Sequence, residues 1–217
     1  MKNVNKKLMV MAVAGVLGMG SVSAMAADGL SANVSLVSNY LWRGVVQADK
    51  ENQMTVQGGF DYTSGPVSFG TWGSSLYGAG TEQDFYGSYA AGPVTVGAIY
   101  YYYGTPGDFY EVNVGGDVGP VSLMASYTPD NAGSGSSAYY VEAGYSMPLG
   151  SASLDLHAGT GTSYTTTSGG AAYDASIGVS GTYGGLDLAA VYSTTNADPA
   201  SITGSQGQFA VSASKSF

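Results

Sequence analysis

A short turn-and-strand phrase recurs in this chain and constrains its fold more than any other feature. Ser64-Gly65-Pro66-Val67-Ser68-Phe69-Gly70 is echoed by Ala91-Gly92-Pro93-Val94-Thr95-Val96-Gly97 and again by Val118-Gly119-Pro120-Val121-Ser122-Leu123, so the three Gly-Pro pairs lie 27 residues apart. Looser versions follow at Pro148-Leu149-Gly150-Ser151 and Tyr183-Gly184-Gly185-Leu186. The proline ring removes a ladder donor and the glycine tolerates special backbone angles, so each pair marks a tight turn rather than a helix or a central strand. Apolar and small polar residues alternate after each turn, which is the signature of a strand with two different faces. A repeat of this length holding two strands reads as a β-hairpin repeated around a sheet.

The N-terminal segment stands apart from that repeat. Lys2, Lys6 and Lys7 precede an apolar run from Leu8 to Met19, and Ala24-Met25-Ala26 fits a cleavage site, so residues 1–26 read as a secretory signal peptide and 27–217 as the mature chain. The run is shorter than the ~18 apolar residues of a spanning helix, which argues against an uncleaved anchor. No later stretch reaches that length, so a membrane could be crossed only by strands.

The first strand begins at Leu30 with even positions apolar, and the phase carries through Tyr40 and Trp42 opposite Asn39 and Arg43. A second run sets Met54, Val56, Phe60 and Tyr62 against Gln53, Thr55, Gln57 and Asp61. Ten more are expected near 67–77, 84–90, 94–103, 109–118, 121–128, 138–147, 153–162, 172–183, 186–193 and 207–217. The connections alternate between tight turns and longer polar links at 44–52, 78–83, 104–108, 129–137, 163–171 and 194–206. About twelve strands, short turns at one end, long loops at the other and one apolar face predict an all-β fold, a transmembrane antiparallel up-and-down barrel of the bacterial outer membrane. Closure also removes the unpaired edges that lipid does not tolerate.

Composition agrees. The chain holds 34 glycines and 18 tyrosines, has no cysteine, and only 10% of its residues are charged, against about a quarter in ordinary soluble domains. Removing the signal segment leaves three of six positive charges against all fifteen acids. Nucleic acid is thereby a poor partner, since binding phosphates needs Lys and Arg. Without cysteine there is no disulfide and no thiolate metal site.

Tyr40, Trp42, Tyr62, Tyr77, Tyr100, Tyr102, Tyr127, Tyr139 and Tyr145 fall near strand ends in the apolar phase, where they are expected to form interfacial girdles. The run Tyr100-Tyr101-Tyr102-Tyr103 presents only half its rings to one surface, which favours a girdle over a sugar-stacking platform. Phe217 ends the last strand in phase with Phe209, Val211 and Ala213. A terminal aromatic of this kind resembles the C-terminal signal of bacterial outer-membrane proteins that their assembly machinery reads.

The segment Asn33-Val34-Ser35-Leu36-Val37-Ser38-Asn39-Tyr40-Leu41-Trp42-Arg43-Gly44-Val45, with Gln47, Gln57-Gly58-Gly59-Phe60-Asp61-Tyr62, Gly70-Thr71-Trp72 and Asp84-Phe85-Tyr86-Gly87, resembles the TorF family of proteobacterial porins. The likeness weakens after about residue 118. Val46 departs from the small polar residue expected there, in what is read as a loop. The resemblance implies an outer-membrane barrel with porin activity and carries no catalytic residues.

Chemistry offers little else. His157, the only histidine, lies two residues after Asp155 on one strand face, so an Asp–His couple for hydrolysis is geometrically conceivable, although a lumen-wall role is the simpler reading. Gly159-Thr160-Gly161 precedes no helix and is no phosphate loop. Gly133-Ser134-Gly135-Ser136-Ser137 reads as a flexible extracellular loop. No cofactor or metal cluster is indicated. The polar face instead collects Asp61, Asp84, Glu111, Asp117, Glu142, Asp155, Asp174 and Asp187, with Arg43 as the clear positive charge, at the extracellular end of the first strand. Lys215 shares the phase of Phe217 and is placed to snorkel at the membrane edge. Asp61, Asp117, Asp155 and Asp187 flank tight turns and are expected to gather at the periplasmic mouth. The expected function is a general or cation-preferring porin for small solutes or ions in the outer membrane, not an enzyme. The alternatives are a hydrolase at Asp155 and His157, and a closed structural or adhesive barrel whose inward Tyr86, Tyr101, Tyr103 and Tyr140 block the lumen.

Overall fold

The computed structural model describes residues 29–48, 51–76, 80–104, 107–198 and 206–217; the segment read as a signal peptide, and Tyr77, lie outside the described residues. Strand β1 (Gly29–Val37) is followed by two short strands, β2 (Leu41–Trp42) and β3 (Val45–Val46). Then come β4 (Thr55–Ser64), β5 (Val67–Leu76), β6 (Gly80–Ala91), β7 (Val94–Tyr102), β8 (Phe109–Val118), β9 (Val121–Thr128), β10 (Ala138–Leu149), β11 (Ala152–Thr165), β12 (Ala171–Tyr183), β13 (Leu186–Thr195) and β14 (Gly207–Ser216). Apart from β2 and β3, each strand pairs antiparallel with its neighbours in the chain, and β1 pairs with both β4 and β14. Twelve strands therefore form one closed barrel. At the seam the Phe217 N–H donates to the Ala32 carbonyl at 2.9 Å, and the Ala32 N–H donates to that of Phe217 at 3.2 Å.

Side-chain alternation decides which face is which. Along β4, Val56, Phe60 and Tyr62 are exposed on the outside while Thr55, Gln57 and Thr63 are buried in the lumen. The same division holds on β14, where Phe209 and Val211 face out and Gln208 and Ala210 face in. An outer surface of this many Leu, Val, Phe and Tyr side chains is stable only against a non-aqueous solvent, and a lipid bilayer is such a solvent.

The repeated phrase makes the turns expected of it. Gly65, Gly92, Gly119 and Gly150 take φ of 56°, 69°, 62° and 66°, each as the first of two turn residues. Positive φ at that position followed by proline or serine is the hairpin turn whose twist matches the flanking strands. At Gly184 and Gly185 both residues have positive φ. These five two-residue turns share one end of the barrel with both ends of the strand path. The other strand ends meet at the opposite end, which among the described residues carries 38–48, 51–54, 103–104, 107–108, 129–137, 166–170 and 196–198.

Two expected loops are shorter than anticipated. Strand β6 begins at Gly80 rather than near residue 84, because the inward phase of Asp84 extends back to Glu82, and β11 runs on to Thr165. The larger correction concerns the first strand. It leaves the barrel wall after Val37 instead of continuing through Trp42, and the chain turns into the lumen.

Candidate functional site

Residues 38–48 fold into a small hairpin that lies across the barrel interior. The Gln47 N–H donates to the Tyr40 carbonyl at 2.9 Å, Leu41 pairs with Val46, Trp42 pairs with Val45, and Arg43-Gly44 forms the tip. Its apolar residues are buried as in a protein core: Leu41, Val46 and Ala48 pack on Ala210 of β14, and Val45 packs with Ala172 and Ala197. Trp42 meets Tyr101, Phe109 and Tyr164 edge-on or tilted, and Tyr40 meets Trp72 edge-on at 5.7 Å between centroids. Tyr40 and Trp42 are therefore lumen residues and not girdle residues. Val46 likewise lies in a buried strand rather than in a polar loop. The alternation that put these side chains in the outward phase is correct for a strand in the wall, and this segment is not in the wall.

The tip fixes the hairpin to the wall. Arg43 does not sit at the mouth: its Nη2 donates to both carboxylate oxygens of Glu111 at 2.9 and 2.8 Å, and Nη1 donates to Ser163 Oγ at 2.6 Å. The guanidinium carbon stands 4.3 Å from the centroid of the Trp42 ring and 4.1 Å from that of Tyr140. A charge-assisted contact of this kind, in which one guanidinium nitrogen donates to both oxygens of a buried carboxylate beside two aromatic rings, is stronger than a neutral hydrogen bond. Gly44, with φ of 76°, presses on the opposite wall, where a Cβ would stand 2.8 Å from Asp174 Cβ and 2.9 Å from Thr195 Cβ. At the hairpin base Asn39 Nδ2 donates to Gln208 Oε1 at 2.9 Å.

The acids of the lumen face separate into two levels. At the level of the hairpin tip, Tyr140 Oη donates to Asp174 Oδ2 at 2.7 Å, and His157 Nε2 lies 2.8 Å from Asp174 Oδ1 and 3.1 Å from Tyr140 Oη. His157 Nδ1 stands 3.8 Å from Glu142 Oε2. Nearer the tight turns, Asp61 accepts from Tyr86 Oη at 2.6 Å, Asp155 from Ser146 Oγ at 2.7 Å and Ser180 Oγ at 2.6 Å, and Asp187 from Thr182 Oγ1 at 2.6 Å. Asp117 is exposed at the rim. Asp84 is fully buried on β6 beside Glu82, which the sequence reading assigned to a loop and so missed. On the outward face Lys215 Nζ donates to the Gly185 carbonyl of a tight turn at 2.7 Å.

A profile described as a bacterial protein of unknown function, Gcw_chp, matches residues 22–217. The chain belongs to this family. The matching profile is Gcw_chp and not TorF, so the TorF likeness remains a resemblance carried by the first strands. No curated protein matches the sequence. Among solved structures, the Acinetobacter baumannii outer membrane protein Omp33 is similar over 87% of this chain and 98% of its own, at 11% identity and a TM-score of 0.53. A membrane protein from a study of in-meso crystallization is similar over 87% and 83%, at 9% identity and a TM-score of 0.51. At such identities the likeness is one of fold, that of outer-membrane barrels.

In this Gcw_chp barrel the Asp155–His157 couple is not formed. Register pairs His157 with Ser176 on β12 and places its ring against Asp174, two residues away, while Asp155 is bound by serines. Both ring nitrogens of His157 face carboxylates. Nε2 is shared between Asp174 and the Tyr140 hydroxyl, so the histidine is coupled to Asp174 and Tyr140 rather than to Asp155. Tyr101 and Tyr140 are buried in the interior, Tyr86 and Tyr103 hydrogen-bond lumen acids, and the 38–48 hairpin, which the strand alternation concealed, lies among them.

Proposed function

We propose that this chain is an outer-membrane porin, exported by its 1–26 segment, that passes small hydrophilic solutes or ions with a preference for cations. The observation that carries the reading is the sign of the lumen. Asp61, Asp84, Glu111, Asp117, Glu142, Asp155, Asp174 and Asp187 all belong to the inward phase, and the one arginine among the described residues, Arg43, is already neutralised by Glu111. Carboxylates crowded at a narrow aqueous passage attract cations and repel anions, an effect screened over ~10 Å at 0.1 M salt. The five tight turns are assigned to the periplasmic side and the long connections to the outside. In planar bilayers the wild type is expected to show a cation-selective reversal potential under a salt gradient, and Asp61→Asn/Asp117→Asn/Asp155→Asn/Asp187→Asn to lose most of it. An open pore without cation preference would remove the selectivity assignment.

The second reading, a closed structural barrel, is favoured by the depth at which the hairpin is buried. Passage past it requires the 38–48 segment to shift. Absence of any conductance from correctly folded barrel would decide for the closed form.

A further inference from the structure

Glu82 and Asp84 lie two residues apart on β6, so both project from the same face of the strand into the lumen with Cα atoms about 7 Å apart. Asp84 is 0% exposed and Glu82 3%. Both oxygens of Asp84 and Oε2 of Glu82 have no hydrogen-bond partner. Tyr103 Oη donates to Glu82 Oε1 at 2.9 Å and the Tyr40 hydroxyl lies beside the same carboxylate; Arg43 is committed to Glu111 and Ser163, and Lys215 to a turn carbonyl outside the wall. Asp84 is flanked by Trp72 across the β5 ladder and by Tyr101 across the β7 ladder, and Tyr40 packs edge-on against Trp72. The two fully buried Asp84 oxygens, without a donor of their own, are costly to leave unmet. Elsewhere in this lumen the buried acids have partners: Asp155 two serines, Asp174 a tyrosine and a histidine, Glu111 an arginine.

We propose that Glu82 and Asp84 form a binding site for a hard divalent cation in the lumen, walled by Trp72, Tyr101, Tyr40 and Tyr103. Two adjacent carboxylates match one divalent charge, and carboxylate oxygens are the ligands such ions take. Among the described residues no group of three or more His, Asp, Glu or Cys is placed to hold a metal. The ion therefore keeps part of its water shell, as expected of an ion in transit rather than one locked in a structural site. The site deepens the porin reading and rests on it for the route by which the ion arrives.

Terbium luminescence on the purified, folded barrel in detergent tests the proposal, because Tb³⁺ substitutes for divalent cations at carboxylate sites and Trp72 stands beside Asp84 as a sensitiser. Excitation of tryptophan is expected to give saturable Tb³⁺ emission, displaced by Ca²⁺ or Mg²⁺ but not by the same concentration of Na⁺. Asp84→Asn and Glu82→Gln are expected to lower the apparent affinity at least tenfold, whereas the rim variant Asp187→Asn keeps it. Trp72→Phe leaves both carboxylates in place and is expected to cut sensitised emission severalfold, the remainder coming from Trp42 beside Tyr101, while directly excited Tb³⁺ still binds, which locates the ion even if a carboxylate variant fails to fold. No saturable emission, emission unchanged in folded Asp84→Asn, or equal displacement by Na⁺ would overturn the site. A barrel that binds Tb³⁺ yet conducts nothing would refute the porin reading and retain the site, and one that conducts but binds no Tb³⁺ would do the reverse.

Discussion

Arg43 and Glu111, 68 residues apart in sequence, meet inside the barrel through two hydrogen bonds from one guanidinium nitrogen, at 2.9 and 2.8 Å. Thr128 Oγ1 adds a longer contact to Glu111 Oε2 at 3.4 Å. The pair joins the tip of the 38–48 hairpin to β8, and it does so with Arg43 at φ of 51°, a conformation that costs a non-glycine residue ~1–2 kcal/mol. The surrounding contacts hold the residue there against its own backbone preference.

Arg43→Ala is expected to destabilise the barrel by about 3–5 kcal/mol, because it leaves Glu111 buried and uncompensated. Urea unfolding of the purified protein measures this. Arg43→Asn separates the two contributions: asparagine tolerates the turn conformation better than arginine but cannot reach Glu111. If the ion pair holds the hairpin, both variants raise single-channel conductance; if turn strain dominates, Arg43→Asn behaves as the wild type.

Gly44→Ala places a methyl group where Asp174 and Thr195 already stand, at a backbone angle that disfavours alanine. The tip must then retreat from β12 and β13. The expected outcome is a loss of about 1–3 kcal/mol from overpacking, with raised conductance in the same assay. Gly92→Ala, where an added Cβ meets nothing within 4 Å, carries only the backbone cost and serves as the control.

Phe217 is 74% exposed on the outer face while its backbone closes the seam with Ala32. Phe217→Ser keeps those backbone bonds and removes an apolar side chain from the lipid belt, a loss of about 1.5–3 kcal/mol. If the side chain is also the signal for assembly, the yield of heat-modifiable barrel in the outer membrane falls further than the stability of refolded protein does. Equal yield and an unchanged gel shift would show that the terminal aromatic is dispensable.

Cysteine substitutions at Ser64 and Ser134 report orientation, since Ser64 precedes a tight turn and Ser134 lies in the 129–137 connection at the other end. An impermeant thiol reagent on intact cells is expected to label Ser134→Cys and to spare Ser64→Cys. The opposite pattern would reverse the topology.

The sequence by itself determined the wall of this protein. Strand alternation is local: whether Val56 faces lipid and Gln57 the lumen follows from a period of two, and the turn at Gly65-Pro66 follows from the angles those two residues prefer, so neither depends on distant parts of the chain. What fills the wall is a different matter. Leu36, Tyr40 and Trp42 share one phase, and nothing local marks the point after Val37 where the chain leaves the sheet; only a closed barrel with an interior to fill makes burying Leu41 and Val45 inside it more favourable than extending the strand. Partners across the lumen follow the same rule. His157 sits two residues from Asp155, yet the β11–β12 register gives it Asp174, and Arg43 finds Glu111 only once β1 and β8 are parts of one ring. Contacts between strands far apart in sequence depend on closure and register, which are properties of the assembled sheet and of no single strand.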